Sequence, residues 1–436
     1  MKPTDALPHP PDWNTATIGK AVEIKRGISW SKEQEHLAPR EGAIPVIRIS
    51  NVQERLEVDD LIYISGLKPN AVEKKRVAAG WAIMVGSNGN RQRIGNAVKI
   101  VNDTDFLFAS FLIAAKPKPD SGITPEFFYR WLSSEQVQAY ISASSEGSTG
   151  LSNLSHSFLQ AMAIPYPTTD EQTAIARILD AVDTAIQRTQ EAVNQATELK
   201  RSLAQTVFSE GLRNQGQKKT RIGFIPESWE VKPIGSVVTE FEYGLSLPMS
   251  LKGTTPILRM GNIQGGEIIM DDLKYVTLAQ KLLDRYLLKR GHVLFNRTNS
   301  QEWVGKVGIY RNDEPAVFAS YLIRLHPDTT QIDNYYLGQL LNSYPAQCRI
   351  KRYATPGVQQ VNINAKDLSK VLIPIPLGTA GLEEQREIAN LLEKADERIR
   401  SYSPFLIALQ QLKKSLMHDL LTGKVRVGDS GLLPPL

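Results

Sequence analysis

The chain is written twice, and that duplication constrains its fold more than any other feature. Trp13, Ile18 and Gly19 recur 216 residues later as Trp229, Ile234 and Gly235. Pro45, Arg48 and Asn51 reappear as Pro256, Arg259 and Asn262. Phe108-Ala109-Ser110-Phe111-Leu112-Ile113 returns as Phe318-Ala319-Ser320-Tyr321-Leu322-Ile323, and Ile164-Pro165-Tyr166-Pro167 as Ile373-Pro374-Ile375-Pro376. A period near 210 residues is too long for a solenoid or propeller unit, so the repeat is a whole domain with its appendage.

In each copy an α/β segment gives way to a long amphipathic helix. Apolar runs at Ile44 to Ile49, Ala82 to Val85, Ala97 to Val101 and Phe111 to Ala115 predict short strands, and Glu126 to Ala143 predicts a helical stretch. From Thr169 and Asp170, plausible caps, Ile175, Leu179, Val182, Ile186, Thr189, Val193, Ala196, Leu199, Leu203 and Val207 follow at steps of mostly three and four, until Gly211 stops the helix. A helix of ~60 Å is far longer than a globular core supports alone. Its partner is the second copy. Ile388, Leu392, Ala395, Ile399, Tyr402, Leu406, Leu409, Leu412, Leu416 and Leu420 repeat the ten positions, each displaced by 213 without a gap. Pro404 replaces Glu191 and predicts a kink or restart near Ser403.

The expected fold is mixed α/β (α+β): two duplicated α/β domains joined by two long helices in an antiparallel coiled coil with pseudo-twofold symmetry. The coil-forming positions are Ile175, Leu179, Val182, Ile186 and Leu203 with Ile388, Leu392, Ile399, Leu406 and Leu416. A parallel pair would put both domains at one end; a pseudo-twofold relation between the two copies favours the antiparallel one. The divisions are an N-terminal tail, 1–12; a first α/β domain, 13–168; the central helix, 169–213; a polar, Gly-containing linker, 214–220; a second α/β domain, 221–379; the C-terminal helix, 380–423; and a tail, 424–436.

Composition narrows the class. A 42% hydrophobic share suits globular domains, and the net charge of +5 is only mildly permissive for nucleic acid. A single cysteine, Cys348, excludes a disulfide scaffold and reads as a buried bystander thiol in a reducing compartment. No run approaches the roughly 18 apolar residues of a membrane span, and the start has no leader character, so the expected setting is cytoplasmic without membrane contact.

Catalytic signatures are missing from the sequence. Gly305-Lys306 and Gly423-Lys424 lack the rest of a phosphate loop, and Gly86-Ser87-Asn88-Gly89 is no dinucleotide fingerprint. There is no Asp/Asn-Pro-Pro-Tyr/Phe tetrapeptide, and His9, His36, His156, His292, His326 and His418 do not fall at metal-ligand spacing.

Binding has more to draw on. In each copy a glycine-led strand runs into a polar loop that closes at Gly95 or Gly305. The first loop offers Ser87, Asn88, Asn90, Arg91 and Arg93, the second Asn296, Arg297, Thr298 and Asn299. Arginine can bond guanine bidentately, Asn and Gln can do so with adenine, and Ser or Thr suit phosphates. A second shared loop carries Thr149 and Gly150 in one copy and Thr355, Gln359 and Gln360 in the other; its glycines either permit close approach of phosphate or only shape a turn. The run Arg349, Lys351, Arg352 is either a phosphate contact or a solvated helix face. Arg48 with Asn51, and Arg259 with Asn262, end an apolar strand as Pro-x-x-Arg-x-x-Asn. All four are candidates for base or phosphate contact; the other reading is that the arginine pairs internally and the asparagine caps a turn, and a mixture with the arginine nearer DNA is expected.

Taken in order, these pieces resemble the specificity (S) subunit of type I restriction-modification systems over essentially the whole chain. The likeness also includes Glu171-Gln172 and Glu384-Gln385 at the helix starts and Leu421-Thr422-Gly423-Lys424-Val425-Arg426-Val427 at the end. The resemblance implies two target recognition domains, each reading half of a split double-stranded DNA sequence, and a helical pair that sets their spacing. It further implies two methyltransferase (M) subunits docked through the helical regions and restriction/translocase (R) subunits. S-adenosylmethionine, ATP and Mg would belong to those partners, with no cofactor on this chain. Two rivals are a self-sufficient DNA methyltransferase, which would bind S-adenosylmethionine alone, and a non-specific coiled-coil DNA adaptor, which would bind all duplexes alike.

Overall fold

The computed structural model describes residues 8–145, 152–357 and 360–427 of the 436. The chain divides into two compact units, one from the N-terminus to Thr189 together with Phe405 onward, the other Gln190–Pro404. Each holds one α/β domain and one segment of each long helix.

In the first unit a four-stranded antiparallel sheet has the order Val22–Arg26, Leu112–Pro117, Ala82–Val85, Ala97–Lys99. Both of its faces are covered. Met84, Ile113 and Ala115 pack with Phe127, Trp131 and Ile141, while Ile83, Val85, Leu112 and Ala114 pack with Ile47, Val52 and Phe108. Burial on both sides explains why these strands read as continuous apolar runs rather than as alternation. A second sheet orders Glu35–His36, Ile62–Ile64, Ile44–Ile47 and Leu107–Phe108, the last pair parallel. The expected single helical stretch is two helices, Pro125–Leu132 and Glu135–Ser144, broken where Ser134 turns to extended backbone.

The second unit repeats this plan with a six-stranded sheet in the order Val238–Tyr243, Leu322–Pro327, Val293–Asn296, Val307–Ile309, Glu267–Ile268, Ile263–Gln264. A three-stranded sheet accompanies it, with Val317–Phe318 parallel to Thr255–Leu258. The Ile-Pro-x-Pro segments serve the same end in both units, Ala163–Tyr166 pairing with Asn14–Thr17 and Leu372–Pro376 with Trp229–Pro233. The expected linker is partly ordered structure: Gln217–Thr220 pairs with Gly223–Pro226 as a hairpin, because the polar run ends in a turn that Gly223 permits at φ +114°.

The long helices span Thr169–Glu210 and Gly378–Leu421. Thr168 caps the first, its hydroxyl accepting from the Glu171 N–H at 3.4 Å, one residue before the caps expected at Thr169 and Asp170. Gly211 follows its end at φ +68°. Pro404 lies inside the second helix, which does not restart at Ser403 but continues through it, with one N–H donor fewer.

Within each unit the two helix segments run antiparallel. In the first, Ile175 and Leu179 pack with Leu416, Leu420 and Leu421, and Lys413 bonds Asp183 at 2.7 Å. In the second, Leu203, Val207 and Phe208 pack with Ile388 and Leu392, and Lys200 bonds Asp396 at 2.6 Å. Val182 is buried, and Ile186, Ile399 and Leu406 are half-buried. Leu199 and Leu412, matching positions of the stripe, are instead 70% and 47% exposed.

The helix starts are fastened to their domains by the glutamines of the repeated Glu-Gln pair. Gln172 accepts from the Thr124 N–H at 2.8 Å and donates to the carbonyls of Gly122 and Pro167. Gln385 accepts from Asp333 N–H at 2.8 Å and donates to Gln331 and Pro376. Both are fully buried.

Among the described residues no helix is long and apolar enough to cross a membrane. Cys348, expected buried, is exposed. Its helix, Tyr344–Lys351, buries Ala346, Gln347 and Ile350, which leaves position 348 on the outer face.

His292 carries a pH response. Burial first, then the charge of Arg324, lowers its pKa from 6.5 to about 4, and its Nδ1 accepts from the Lys289 N–H at 3.1 Å. Folding therefore favours the neutral ring, and stability falls as pH drops from 6.5 toward 4, where the unfolded chain takes up the proton first. For this half-buried ring the loss is about 1–2 kcal/mol after solvent screening. Substituting His292→Gln should flatten that part of the urea-midpoint profile relative to the parent; an unchanged slope would refute the assignment.

Candidate nucleic-acid interface

The two shared loops of each copy meet. Ser87–Asn88 pairs with Ser152–Asn153 in the first unit, and Thr298–Asn299 pairs with Val361–Asn362 in the second. The side chains repeat the match, since the Ser87 hydroxyl donates to Asn153 and the Thr298 hydroxyl to Asn362. The backbone repeats it again: Leu154 N–H donates to Gly86 at 2.8 Å, and Ile363 N–H to Arg297 at 2.9 Å. Each unit thus gathers two polar loops beside one central strand.

The closing glycines are pinned from a helix. Gly95 and Gly305 take φ of +92° and +86°, and a Cβ there would press to within 2.8 Å of Ile141 and 2.9 Å of Ile350. Their carbonyls accept from Gln138 at 2.7 Å and Gln347 at 2.8 Å, and each glutamine also caps the preceding helix through Leu132 or Leu341. These glutamines were not singled out from sequence, although they repeat 209 residues apart between the same neighbours in the fold.

Several residues placed at DNA by sequence are turned inward. Asn51 and Asn262 are buried and saturated: each accepts from the N–H of its own arginine, at 2.7 and 2.8 Å, and spends its amide on Asp60 or on the carbonyls of Ile269 and Asp271. Arg48 reaches the Asp60 carbonyl at 2.6 Å and its carboxylate at 3.2 Å; Arg259 does likewise with Asp272, at 2.8 Å to the carboxylate. The arginine bond holds the Asp272 carboxyl below its ordinary range. The Pro-x-x-Arg-x-x-Asn motif thus forms a turn in both units, capped by its asparagine and braced by the bond from its arginine to an aspartate. Arg93 donates to Val52 at 2.8 Å and Ile49 at 3.3 Å, holding the same turn from the loop side. Buried Asn296 does the equivalent with Met260 at 3.2 Å. Ser87 and Thr298 are buried in their strand pairs. Arg91 binds the end of the helix Glu135–Ser144, through Ser142 and Ser145.

What faces outward is a shorter set. In the first unit Asn90 and Gln92 are exposed and Asn88 is half-buried, its oxygen accepting from the Asn90 N–H. In the second, Ser300, Gln301, Glu302 and Trp303 are exposed, with Asn299 half-buried. Arg297 lies 5.1 Å over the Tyr243 ring, donates to Ser320 at 3.3 Å, and keeps its Nε without a partner among the described residues. Half-buried Lys306 was missed; burial first and the charge of Lys351 second lower its ammonium pKa. Its signal, Gly305-Lys306, was read only as a broken phosphate loop. Thr355 is exposed and Gln360 half-buried, its carbonyl accepting from the Gly357 N–H. Thr149, Gly150 and Gln359 lie outside the described residues. Of the basic run, Arg349 bonds the Leu372 carbonyl and Lys351 that of Glu302, so only Arg352 suits a solvated face. Among the described residues no group of three His, Cys, Asp or Glu is arranged to hold a metal ion.

Known proteins share this plan. The chain is 22% identical over 423 residues to the EcoKI specificity subunit of Escherichia coli (strain K12), covering 95% of this chain and 90% of that one. It is 33% identical over 213 residues to a putative MjaX specificity subunit of Methanocaldococcus jannaschii, covering 48% of this chain and 49% of that one. The fold matches the crystal structure of the type I restriction-modification S subunit from M. genitalium, with TM-score 0.57 at 17% identity over 96% of this chain and 99% of that one. The model of the type I restriction modification DNA specificity domain matches twice, over residues 10–198 and 226–403. Two copies of that domain, spanning most of the sequence and coinciding with the two loop-bearing halves, place the chain in the type I restriction-modification specificity subunit family.

Proposed function

We propose that this chain, the non-catalytic member of such a system, reads a two-part double-stranded DNA target, one α/β domain to each part. Its helical regions would dock two methyltransferase subunits, and restriction/translocase subunits would complete the assembly in a cytoplasmic setting. The observation that carries the reading is the convergence of two polar loops at equivalent places in each unit, framed by repeated internal bonds. Methyl transfer with S-adenosylmethionine, and ATP- and Mg-dependent cleavage, fall to the partners.

The reading makes helix length a ruler. Lengthening both long helices by about one turn, ~5.4 Å, should widen the gap in the recognised sequence by one or two base pairs. Methylation-sensitive sequencing of a genome carrying the variant complex reads the gap directly. An unaltered gap rejects the ruler, and a target without any gap rejects the two-part reading.

A further inference from the structure

The reading loop of each unit is tied to the end of the helix behind it, and the two units make the tie in opposite directions. In the first, Arg91 of the loop sends its Nε to the Ser142 carbonyl at 2.7 Å and the Ser145 hydroxyl at 3.0 Å, and its terminal nitrogen to the Ala143 carbonyl. The Ser142 hydroxyl returns a bond to the Arg91 carbonyl at 3.1 Å. In the second unit Glu302 stands where Arg91 does, and Lys351 where Ser142 does. There the helix supplies the cation: the Lys351 ammonium donates to the Glu302 carbonyl at 2.9 Å. Both ties place a positive charge at a helix C-terminus, where unpaired carbonyls and the helix dipole favour it. Both close the same segment, from the strand edge to the pinned glycine.

We infer that Arg91 and Lys351 are positioning residues for DNA reading, each fixing where its loop presents its exposed side chains. The inference rests on the two-part reading proposed above. Arg91 commits its Nε and one terminal nitrogen to three oxygens of the helix end, which fixes the place of the loop segment that carries it. The loop presents the amides of Asn88, Asn90 and Gln92, and between its strand edge at Ser87 and its pinned end at Gly95 it is held by the Arg91 tie and by Arg93. A reading group displaced by about 1 Å loses most of a bidentate contact.

The tie is exchangeable, which makes it testable. The full chain, its Arg91→Gln variant and the double variant Arg91→Gln/Ser142→Lys are each used to select from a library of random-sequence duplexes. Arg91→Gln should lower base discrimination in one half of the selected motif about tenfold and leave the other half intact, with only a small fall in the urea midpoint of the chain. Adding Ser142→Lys, which builds the second unit's tie in the first, should restore the lost half. Unchanged discrimination in Arg91→Gln overturns the inference, and so does a loss that Ser142→Lys fails to restore, since a direct base contact would not be rescued from the helix side. If the parent chain itself selects no two-part motif, the function proposed above fails instead, and the two failures are told apart by the parent.

Discussion

Replacing Gln385 with leucine should destabilise the second unit by ~3–5 kcal/mol, seen as a lower urea midpoint with an unchanged slope in the remaining unit. The side chain is fully buried and serves three backbone groups at once, the N–H of Asp333 and the carbonyls of Gln331 and Pro376. Leucine fills a similar volume but leaves one donor and two acceptors unserved, each worth about 1–3 kcal/mol where water cannot reach. Gln385→Glu is a sharper test. It keeps the acceptor for Asp333 but presents a charged oxygen to two carbonyls, so its cost should equal or exceed that of leucine near neutral pH. A glutamate variant as stable as the parent would show that the donor half of the clamp does nothing. Gln172→Leu should act alike on the first unit through Thr124, Gly122 and Pro167.

The second large effect lies at Glu242. Its carboxylate accepts from the Nε and one terminal nitrogen of Arg324 and from Arg285 at 2.9 Å, and Glu242 and Arg324 are each 6% exposed at the side chain. Burial pushes the carboxyl upward, but Arg285 and Arg324 outweigh it and hold the pKa below its ordinary value. Substituting Glu242→Leu strands a buried guanidinium that keeps the Leu287 and Arg285 carbonyls but loses its counter-charge, a loss of ~3–5 kcal/mol. The double variant Glu242→Leu/Arg324→Leu should recover much of it, because the penalty is the orphaned charge rather than the pair's net attraction. A double variant no better than the single one would contradict this. The sign with pH follows: a carboxyl depressed on folding stabilises above its unfolded pKa, ordinarily 4.5, and that contribution disappears as pH falls through the folded value. Glu242→Leu should lack this acid limb.

The duplication made the architecture legible. A gapless 213-residue displacement of ten apolar positions can survive only if both stretches obey one geometry, and the helices do meet antiparallel within each unit. Two stripe positions broke the pattern, Leu199 and Leu412, because periodicity records which residues share a helix face and not how far along that face a neighbour reaches. The loops lie side by side in each unit, and which of their side chains are already bonded within the protein was not legible in the sequence. Residue type shows that Asn51 or Arg91 can bond a base; whether a backbone carbonyl or an aspartate has already taken those bonds depends on segments 9 to 54 residues away. Gln138 and Gln347 escaped for the converse reason. A glutamine on an exposed-looking helix gives no hint that a glycine carbonyl 43 or 42 residues upstream needs it.

Asp183 and Lys200 on the first long helix stand 17 residues apart, as do Asp396 and Lys413 on the second, and in each unit the aspartate of one helix meets the lysine of the other. Neither interval can drift alone, since a residue added to one helix turns its later side chains by about 100° away from their counterparts. Inheritance is thereby partitioned. The polar tips of the two α/β domains are free to lose or gain residues, as the one-residue difference between the Gly86–Gly95 and Arg297–Gly305 segments records, while two distant stretches of the gene must keep equal length. New target preferences can arise in such a lineage without disturbing the frame that carries them.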